Sequence, residues 1–323
     1  MKALRVERLS DDLSGVRLAD VPAPPPDTGD VLVRVRAASL NYPDLLMTRG
    51  GYQFKPAVPF TAGLELAGEV IDPGSSGFAR GQRVMGGAKT GAFAELAALP
   101  AGALRPVPDA LDWPAAAALG AAYTTAWTAL VELGGLQPDQ WVLVHGASGG
   151  VGLAACDLAR ALGARVIAAT RDPAKLERIR GAVRPEAAIV NEGRFREAVA
   201  ELTGGGLCEL VFDPVGGDVF DESTRCVAFG GKLLVIGFVA GRIPQIAVNI
   251  PLIKGFSVVG VRAGEYARRF PARGAAIAAE VGRLAGAGAI RPVIDRLLPL
   301  ERWHDGFAAI AAGELVGKVV FEP

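Results

Sequence analysis

The spacing of hydrophobic positions changes twice along the chain. In the first hundred residues, apolar and charged residues alternate in short runs, as at 31–36, and Gly- and Pro-rich turns separate the runs. A period of two predicts half-buried strands, here of a small, partly closed barrel. From about 113 to 261, continuous apolar strands such as 141–145 alternate with helical segments, which predicts a doubly wound parallel sheet. The last sixty or so residues contain one Ala-rich helix, near 271–287, and a terminal strand at 317–321.

These patterns predict an α/β protein with two domains. We expect an α/β unit at 121–260, inserted between two pieces of one β-rich domain at 1–120 and 261–323. A chain of 323 residues can bury enough surface to fold without disulfides or a structural metal.

Composition excludes several classes of protein. The 34 basic and 34 acidic side chains balance, so the basic footprint of a nucleic-acid-binding protein is missing. Segment 113–131 has no charge, but it is rich in Ala and interrupted by polar residues, which favours a buried helix over a membrane span. The start of the chain lacks the apolar run of a signal peptide, and the three Cys show no paired spacing. We therefore expect a cytoplasmic protein with no membrane or nucleic-acid partner.

A glycine-rich turn follows the strand at 141–145. The sequence Gly-Ala-Ser-Gly-Gly-Val-Gly at 146–152 leads directly into a predicted helix. Small residues let backbone N–H groups approach a diphosphate, and the helix N-terminus favours the negative charge. The turn has Ala147 at the first of the three fingerprint positions, and a plain structural turn is the alternative. We expect the diphosphate to be held by Ser148, Gly149, Gly150, Val151 and Gly152.

The end of the next strand indicates which nicotinamide cofactor binds. NAD sites place an acidic residue there to bind the ribose 2′-hydroxyl. This chain has Thr170 and Arg171, with Lys175 shortly after, and such groups suit a 2′-phosphate. NADPH is therefore favoured over NADH, although Asp172 complicates the prediction unless it caps the following helix. An ordinary solvated loop is the other interpretation of these residues.

Several segments in the same order resemble a known family over essentially the whole chain. They lie at 38–44, 59–68, 91–95, 123–126, 147–152, 213–217 and 235–238. The sequence resembles the zinc-independent, zeta-crystallin-like NADPH:quinone oxidoreductases of the medium-chain dehydrogenase/reductase superfamily. The resemblance implies a GroES-like catalytic domain, built from both chain ends, with a Rossmann domain inserted. It also implies hydride transfer from NADPH to a small quinone or other conjugated carbonyl.

The resemblance also implies roles for individual residues. Asn41 would face the substrate near the nicotinamide, with Tyr52 and Thr125 lining the same cleft and Asp44 acting as an orienting acceptor. Backbone groups of Phe238 and Val239 would lie beside the nicotinamide. Many relatives have a Tyr near the 2′-phosphate where this chain has Glu192, a carboxylate that would weaken phosphate binding. Asn41 acting only as a brace for its own turn is an open alternative.

Other functions stay open at this point. An enoyl-thioester (acyl-CoA) reductase would use the same cofactor geometry, and a non-catalytic, crystallin-like NADPH-binding protein would keep the fold alone. A zinc mechanism is not expected. The resemblance implies that Asn41 and Leu64 stand where the zinc alcohol dehydrogenases of this superfamily have their Cys and His ligands, and no Cys precedes Cys156. Apolar strands at 233–236 and 256–261 would leave an open sheet edge in a monomer, so we expect a two-fold homodimer.

Overall fold

The computed structural model describes residues 1–323 and divides into two compact units. The first unit contains residues 1–121 and 292–323, and the second contains residues 122–291. The chain therefore leaves the first unit once and returns to it once.

The first unit begins with short strands. Its N-terminal part contains β1 (Lys2–Val6), β2 (Val16–Asp20), β3 (Asp30–Leu40), α1 (Tyr42–Thr48), β4 (Phe60–Thr61), β5 (Glu65–Asp72), β6 (Arg83–Gly87), β7 (Leu96–Pro100) and β8 (Leu104–Pro106). The helix α2 (Trp113–Trp127) begins in this part and continues into the second unit. The alternation predicted at 31–36 is seen in β3, where Val31, Val33 and Val35 are buried. The helix predicted over 113–131 is α2, which is followed by a π-helical segment at Thr128–Leu133. None of the helices combines the length and hydrophobicity needed to cross a membrane.

The second unit alternates strands and helices. Its elements are β9 (Trp141–Val144), α3 (Gly150–Ala161), β10 (Arg165–Thr170), α4 (Leu176–Val183), β11 (Ala187–Val190), α5 (Arg196–Leu202), β12 (Cys208–Asp213), α6 (Gly217–Ser223), β13 (Val227–Val235), α7 (Asn249–Lys254), β14 (Ser257–Gly260), α8 (Ala263–Arg269) and α9 (Pro271–Gly286). All six strands pair in parallel, in the order β11-β10-β9-β12-β13-β14. This is the dinucleotide-binding order, in which the chain reverses direction across the sheet between β9 and β12.

The chain then returns to the first unit as β15 (Ile294–Pro299), α10 (Trp303–Ala312) and β16 (Lys318–Glu322). β16 joins the larger sheet of that unit, whose order is β15-β16-β3-β5-β6-β8, with β7 also paired to β3. Phe93 packs edge-on against Phe307 and Phe321, at centroid distances of 6.3 and 5.2 Å, and all three rings are fully buried. Aromatic packing of this kind adds to the hydrophobic gain of burial. The core of the first unit thus contains side chains from both ends of the chain.

The chain returns from the second unit to the first later than the sequence predicts. Residues 261–291 were expected in the catalytic domain with the C-terminus, but the structure packs them with the second unit. The reason is the pair of helices α8 and α9, whose side chains reach the π-helical segment. Tyr266 donates a hydrogen bond of 3.1 Å to Glu132, and Arg273 forms an ion pair of 2.8 Å with the same carboxylate.

Candidate functional site

The glycine-rich turn of the second unit connects β9 to α3 at the point where the sheet order reverses. Gly146 has a φ of +58°, a conformation that side chains disfavour, and its carbonyl accepts a bond of 2.9 Å from the Gly149 amide. Gly149 is extended and stands at the N-cap of α3, and its lack of a side chain leaves the helix end uncapped. The first N–H groups of a helix have no partner within the helix, so this end can bind an anion.

Gly152 lets the helix pack closely on the turn. A Cβ at this position would lie 2.2 Å from the Gly146 carbonyl oxygen, which is far inside contact distance. Any side chain here would push α3 away from β9 and displace the amides of the first turn. Ser148, Gly149, Gly150 and Val151 are half-buried around that turn. The turn therefore fits a diphosphate by its backbone shape and by the dipole of α3.

The carboxyl end of β12 lies beside this turn, since Phe212 pairs with Val144 of β9. Asp213 at that end accepts bonds of 2.8 and 2.9 Å from the amides of Val215 and Gly216 through Oδ1. Its other oxygen, Oδ2, is buried without a hydrogen-bond partner. Burial raises the pKa of this carboxyl, against the two amide donors that lower it. An orphaned polar atom at a switch point is the kind of group that a bound ligand or water satisfies.

Phe238 and Val239 follow β13 on a loop held to the 214–216 segment. The Val239 amide donates to the Pro214 carbonyl at 3.2 Å, and the Phe238 ring lies against Gly216. Their side chains are 41% and 53% exposed, unusual for residues of this type. Exposed apolar side chains beside a glycine-rich turn at a helix N-terminus are typical of a ligand-binding edge.

The residues predicted to hold a 2′-phosphate lie together after β10, but differ in exposure. Thr170 is buried at the strand end, Lys175 is buried in a 3₁₀ turn, and Arg171 is exposed. Asp172 accepts a bond of 2.9 Å from the Ala174 amide, so it caps that turn. Asp172 therefore has the capping role, and its carboxylate still stands next to Arg171 in the chain. Glu192 is exposed after β11, the strand that pairs with β10.

His145 is an internal structural residue of the second unit. Its Nδ1 accepts from the Asn191 side-chain amide at 2.8 Å, so Nε2 carries the proton and donates to Ser223 at 2.8 Å. Burial lowers the pKa of His145 to about 3. The imidazole is therefore neutral, fully hydrogen-bonded and part of the packing between β9, β11 and α6.

Asn41 follows β3 in the first unit and precedes α1. Its Nδ2 group donates to the Ser39 carbonyl at 3.1 Å and to Glu65 Oε1 at 3.0 Å. Its Oδ1 atom accepts from Lys318 Nζ at 2.6 Å. Every polar atom of the carboxamide thus has a partner within the unit, and donation to a substrate would require one of these bonds to be exchanged.

Asp44 lies one turn into α1 and is linked to Asn41. Its Oδ2 atom accepts from the Asn41 backbone amide at 2.8 Å, the arrangement of a helix N-terminal capping pair. Its Oδ1 atom is buried without a hydrogen-bond partner. Burial raises the pKa of Asp44 to about 7, although the Asn41 amide and the positive charge of Lys318 lower it.

The other predicted substrate residues are placed as follows. Tyr52 is half-buried against the apolar core of the first unit. Thr125 lies in the part of α2 that belongs to the second unit, and it too is half-buried. No group of three or more His, Cys, Asp or Glu side chains is arranged to hold a metal ion.

Two residues of the Asn41 cluster carry no role in the sequence prediction. Glu65 and Lys318 form an ion pair of 2.9 Å, with only 6% of each side chain exposed. A charged residue between small or apolar neighbours at the start of a strand, as in Leu64-Glu65-Leu66 and Gly317-Lys318-Val319, is the available signal. It indicates a buried charge, but does not say that two such charges, 253 positions apart, would meet.

Known families match both parts of the chain. Residues 27–109 match the alcohol dehydrogenase GroES-like domain, and residues 150–279 match the zinc-binding dehydrogenase family. Quinone oxidoreductase-like protein 2 homolog of Nematostella vectensis is 35% identical over 91% of this chain and 81% of its own length. Human quinone oxidoreductase is 30% identical over 99% of this chain and 97% of its own. A mycobacterial protein solved in complex with NADPH is 27% identical, with a TM-score of 0.91 over the full length of both chains.

The two folds and their order along the chain define a protein of the medium-chain dehydrogenase/reductase superfamily, an oxidoreductase class. Full-length similarity to the quinone oxidoreductases narrows this further. The chain belongs to their zeta-crystallin-like family, which confirms the family and the fold inferred from sequence.

Proposed function

We propose that this protein is an NADPH-dependent reductase of quinones or α,β-unsaturated carbonyl compounds that works without zinc. The observation that carries the proposal is the glycine-rich turn before α3. The N-terminus of α3 has no side-chain cap, and Gly152 packs so closely on Gly146 that a side chain at position 152 has no room. Membership of the quinone oxidoreductase family and the NADPH complex of a structural neighbour support it.

The residues that would hold the cofactor all belong to the second unit. The first turn of α3 would receive the diphosphate, and the backbone around Phe238 and Val239 would border the nicotinamide. Thr170, Arg171 and Lys175 would surround the 2′-phosphate, with exposed Arg171 able to adjust to it. Glu192 and Asp172 would have the opposite effect, because a carboxylate repels a phosphate.

When bound, NADPH would supply a hydride to the electron-poor carbon of the acceptor. The chain then has to stabilise the negative charge that develops on the acceptor oxygen, and the proton that completes the reduction comes from solvent. We assign the donors to Asn41, Tyr52 and Thr125, with Asp44 fixing the backbone of Asn41. Quinones and enones are already activated acceptors, so neutral hydrogen-bond donors suffice, whereas an unactivated ketone would need more help than these residues offer.

The cofactor assignment is tested by calorimetric titration with NADPH and NADH. A charge-assisted phosphate contact predicts that NADPH binds about 10- to 100-fold more tightly. Arg171→Ala should remove most of that difference, whereas Arg184→Ala, an exposed control at the end of α4, should preserve it. Equal dissociation constants for the two cofactors in the wild type would refute the NADPH assignment.

We also propose a homodimer formed along the free edge of the parallel sheet. β14 is the edge strand, and apolar side chains are exposed on it and near it. They are Phe229, Val248, Leu252, Ile253 and Val258, of which Phe229, Val248 and Leu252 are more than 80% exposed. An unpaired edge beside an apolar surface favours association with a second copy.

The three cysteines are free thiols, consistent with the expected cytoplasmic location.

A further inference from the structure

The ion pair between Glu65 and Lys318 lies beside Asn41, the residue that follows the end of β3. β3 is flanked by β5 on one side and β16 on the other. Ser39 pairs with Glu65, and Leu40 pairs with Val319, so the next residue of each strand brings Lys318 beside Asn41. Strand register therefore delivers one charge to each side of the Asn41 carboxamide.

Both members of the pair are hydrogen-bonded, and their bonds converge on Asn41. Lys318 Nζ donates to Asn41 Oδ1 at 2.6 Å and to Glu65 Oε1 at 2.9 Å. Glu65 Oε1 also accepts from Asn41 Nδ2 at 3.0 Å, and Glu65 Oε2 accepts from the Ala121 backbone amide at 2.8 Å. Removing two charges from water costs free energy that apolar residues of similar size would avoid, so stability alone does not account for the pair.

We infer that Glu65 and Lys318 are positioning residues that fix the orientation of the Asn41 carboxamide. With the amide as observed, the ammonium group faces its oxygen and the carboxylate faces its NH₂ group. A flipped amide would set oxygen against carboxylate and NH₂ against ammonium, and both contacts would be repulsive. The charges thus select one of two orientations that have nearly the same shape.

The same geometry leaves one bond of Asn41 exchangeable. Two of its three side-chain bonds involve charged partners, whereas the third, to the Ser39 carbonyl at 3.1 Å, joins neutral groups and is the longest. Charge-assisted bonds are roughly twice as strong as neutral ones. The N–H that now faces Ser39 is therefore the one that an acceptor oxygen would engage in place of the Ser39 carbonyl, while the amide keeps its orientation, a step that rests on the proposed function.

The test removes both charges together. A single substitution would strand one buried charge, whereas Glu65→Gln with Lys318→Met leaves no unpaired charge and keeps an acceptor for the Ala121 amide. The amide introduced at position 65 can donate to Asn41 Oδ1, so both orientations become available. We expect the melting temperature and the NADPH dissociation constant to stay near wild type, while kcat falls about 10- to 100-fold.

A cycle with Asn41→Ala shows whether the pair acts through Asn41. If it does, adding the two charge-removing substitutions to Asn41→Ala should change kcat by no more than about twofold. Wild-type kcat in the double variant, or losses that multiply in the triple variant, would overturn the inference. A merely structural role would lower the melting temperature instead of producing this pattern.

A measurement independent of turnover separates this inference from the proposed function. In ¹⁵N NMR of the wild type, assigned with Asn41→Asp and Gln53→Glu, the Asn41 side-chain protons should exchange more slowly than those of exposed Gln53. Exchange as fast as that of Gln53 overturns the positioning role even if the double variant does not fold. Absence of turnover with every acceptor, together with slow exchange, would reject the proposed function and keep the fixed amide.

Discussion

Asp44 is a buried carboxyl group whose protonation couples pH to the stability of the protein. Burial raises its pKa from the ordinary value of 3.8 to about 7. Because the folded protein holds this proton to higher pH than the unfolded chain does, the group lowers the free energy of unfolding as pH rises from about 4 to about 7. Asp44→Asn should remove this loss, so the variant gains on the wild type across that window, by up to about 4 kcal/mol.

Chemical denaturation at a series of pH values measures this difference directly. His145 acts in the opposite direction, since its lowered pKa makes stability rise with pH between about 3 and 6.5. Comparing variant with wild type at each pH cancels that contribution. Asp109→Asn, an exposed carboxyl in the same unit, is the matched control and should show little change. A constant difference for Asp44→Asn across the window would contradict the raised pKa.

At the residue scale, the sequence indicates where Asn41 and Asp44 stand but not what surrounds them. Both lie in one short motif, so their link through the α1 cap is local and can be read from neighbouring residues. Glu65 and Lys318 reach the same site through strand pairing between distant segments. Register of that kind depends on the whole sheet. The sequence pattern therefore could not show that both N–H groups of the Asn41 side chain already donate to groups of the protein.

At the element scale, the turn between β9 and α3 makes a specific demand on residue 152. Gly152→Ala places a Cβ 2.2 Å from the Gly146 carbonyl oxygen, so the helix has to shift. We expect a loss of about 1–3 kcal/mol in the free energy of unfolding and weaker NADPH binding, measured by denaturation and calorimetric titration.

A second glycine provides the control for this substitution. Gly181 is exposed in α4, and a Cβ there meets nothing within 4 Å. Gly181→Ala should therefore raise stability by up to about 1 kcal/mol and leave NADPH affinity unchanged. Normal NADPH affinity in Gly152→Ala would mean that the helix need not touch the turn for binding.

The elements of the second unit follow from the sequence because each carries a local signal. The apolar strand at 141–145 and the helix after the glycine-rich turn are found as β9 and α3, within one or two residues of the expected ends. The π-helical segment after α2 has no such signal, since an extra residue per turn is decided by packing. The late return of the chain to the first unit is also decided by packing, because the contacts of α8 and α9 with Glu132 span more than a hundred residues.

At the scale of the whole molecule, the free β14 edge predicts a particle of two chains. Light scattering at micromolar concentration should give twice the 33.4 kDa of one chain. Leu252→Glu with Ile253→Glu introduces charge into the exposed α7 surface and should shift the mass towards one chain. Leu202→Glu, in α5 of the same unit, should leave the mass unchanged. A wild-type mass of one chain would end the dimer proposal.

Turnover by the whole protein tests the proposed function most directly. The measurement is the rate of NADPH oxidation with a panel of quinones, enals and enoyl-CoA thioesters, before and after exhaustive chelation. We predict turnover with quinones or enals that exceeds turnover with enoyl-CoA thioesters and that chelation does not change. Turnover confined to the thioesters would assign an enoyl-thioester reductase instead, and activity restored only by zinc would contradict the metal-free mechanism. No NADPH oxidation with any acceptor would contradict the reductase function itself.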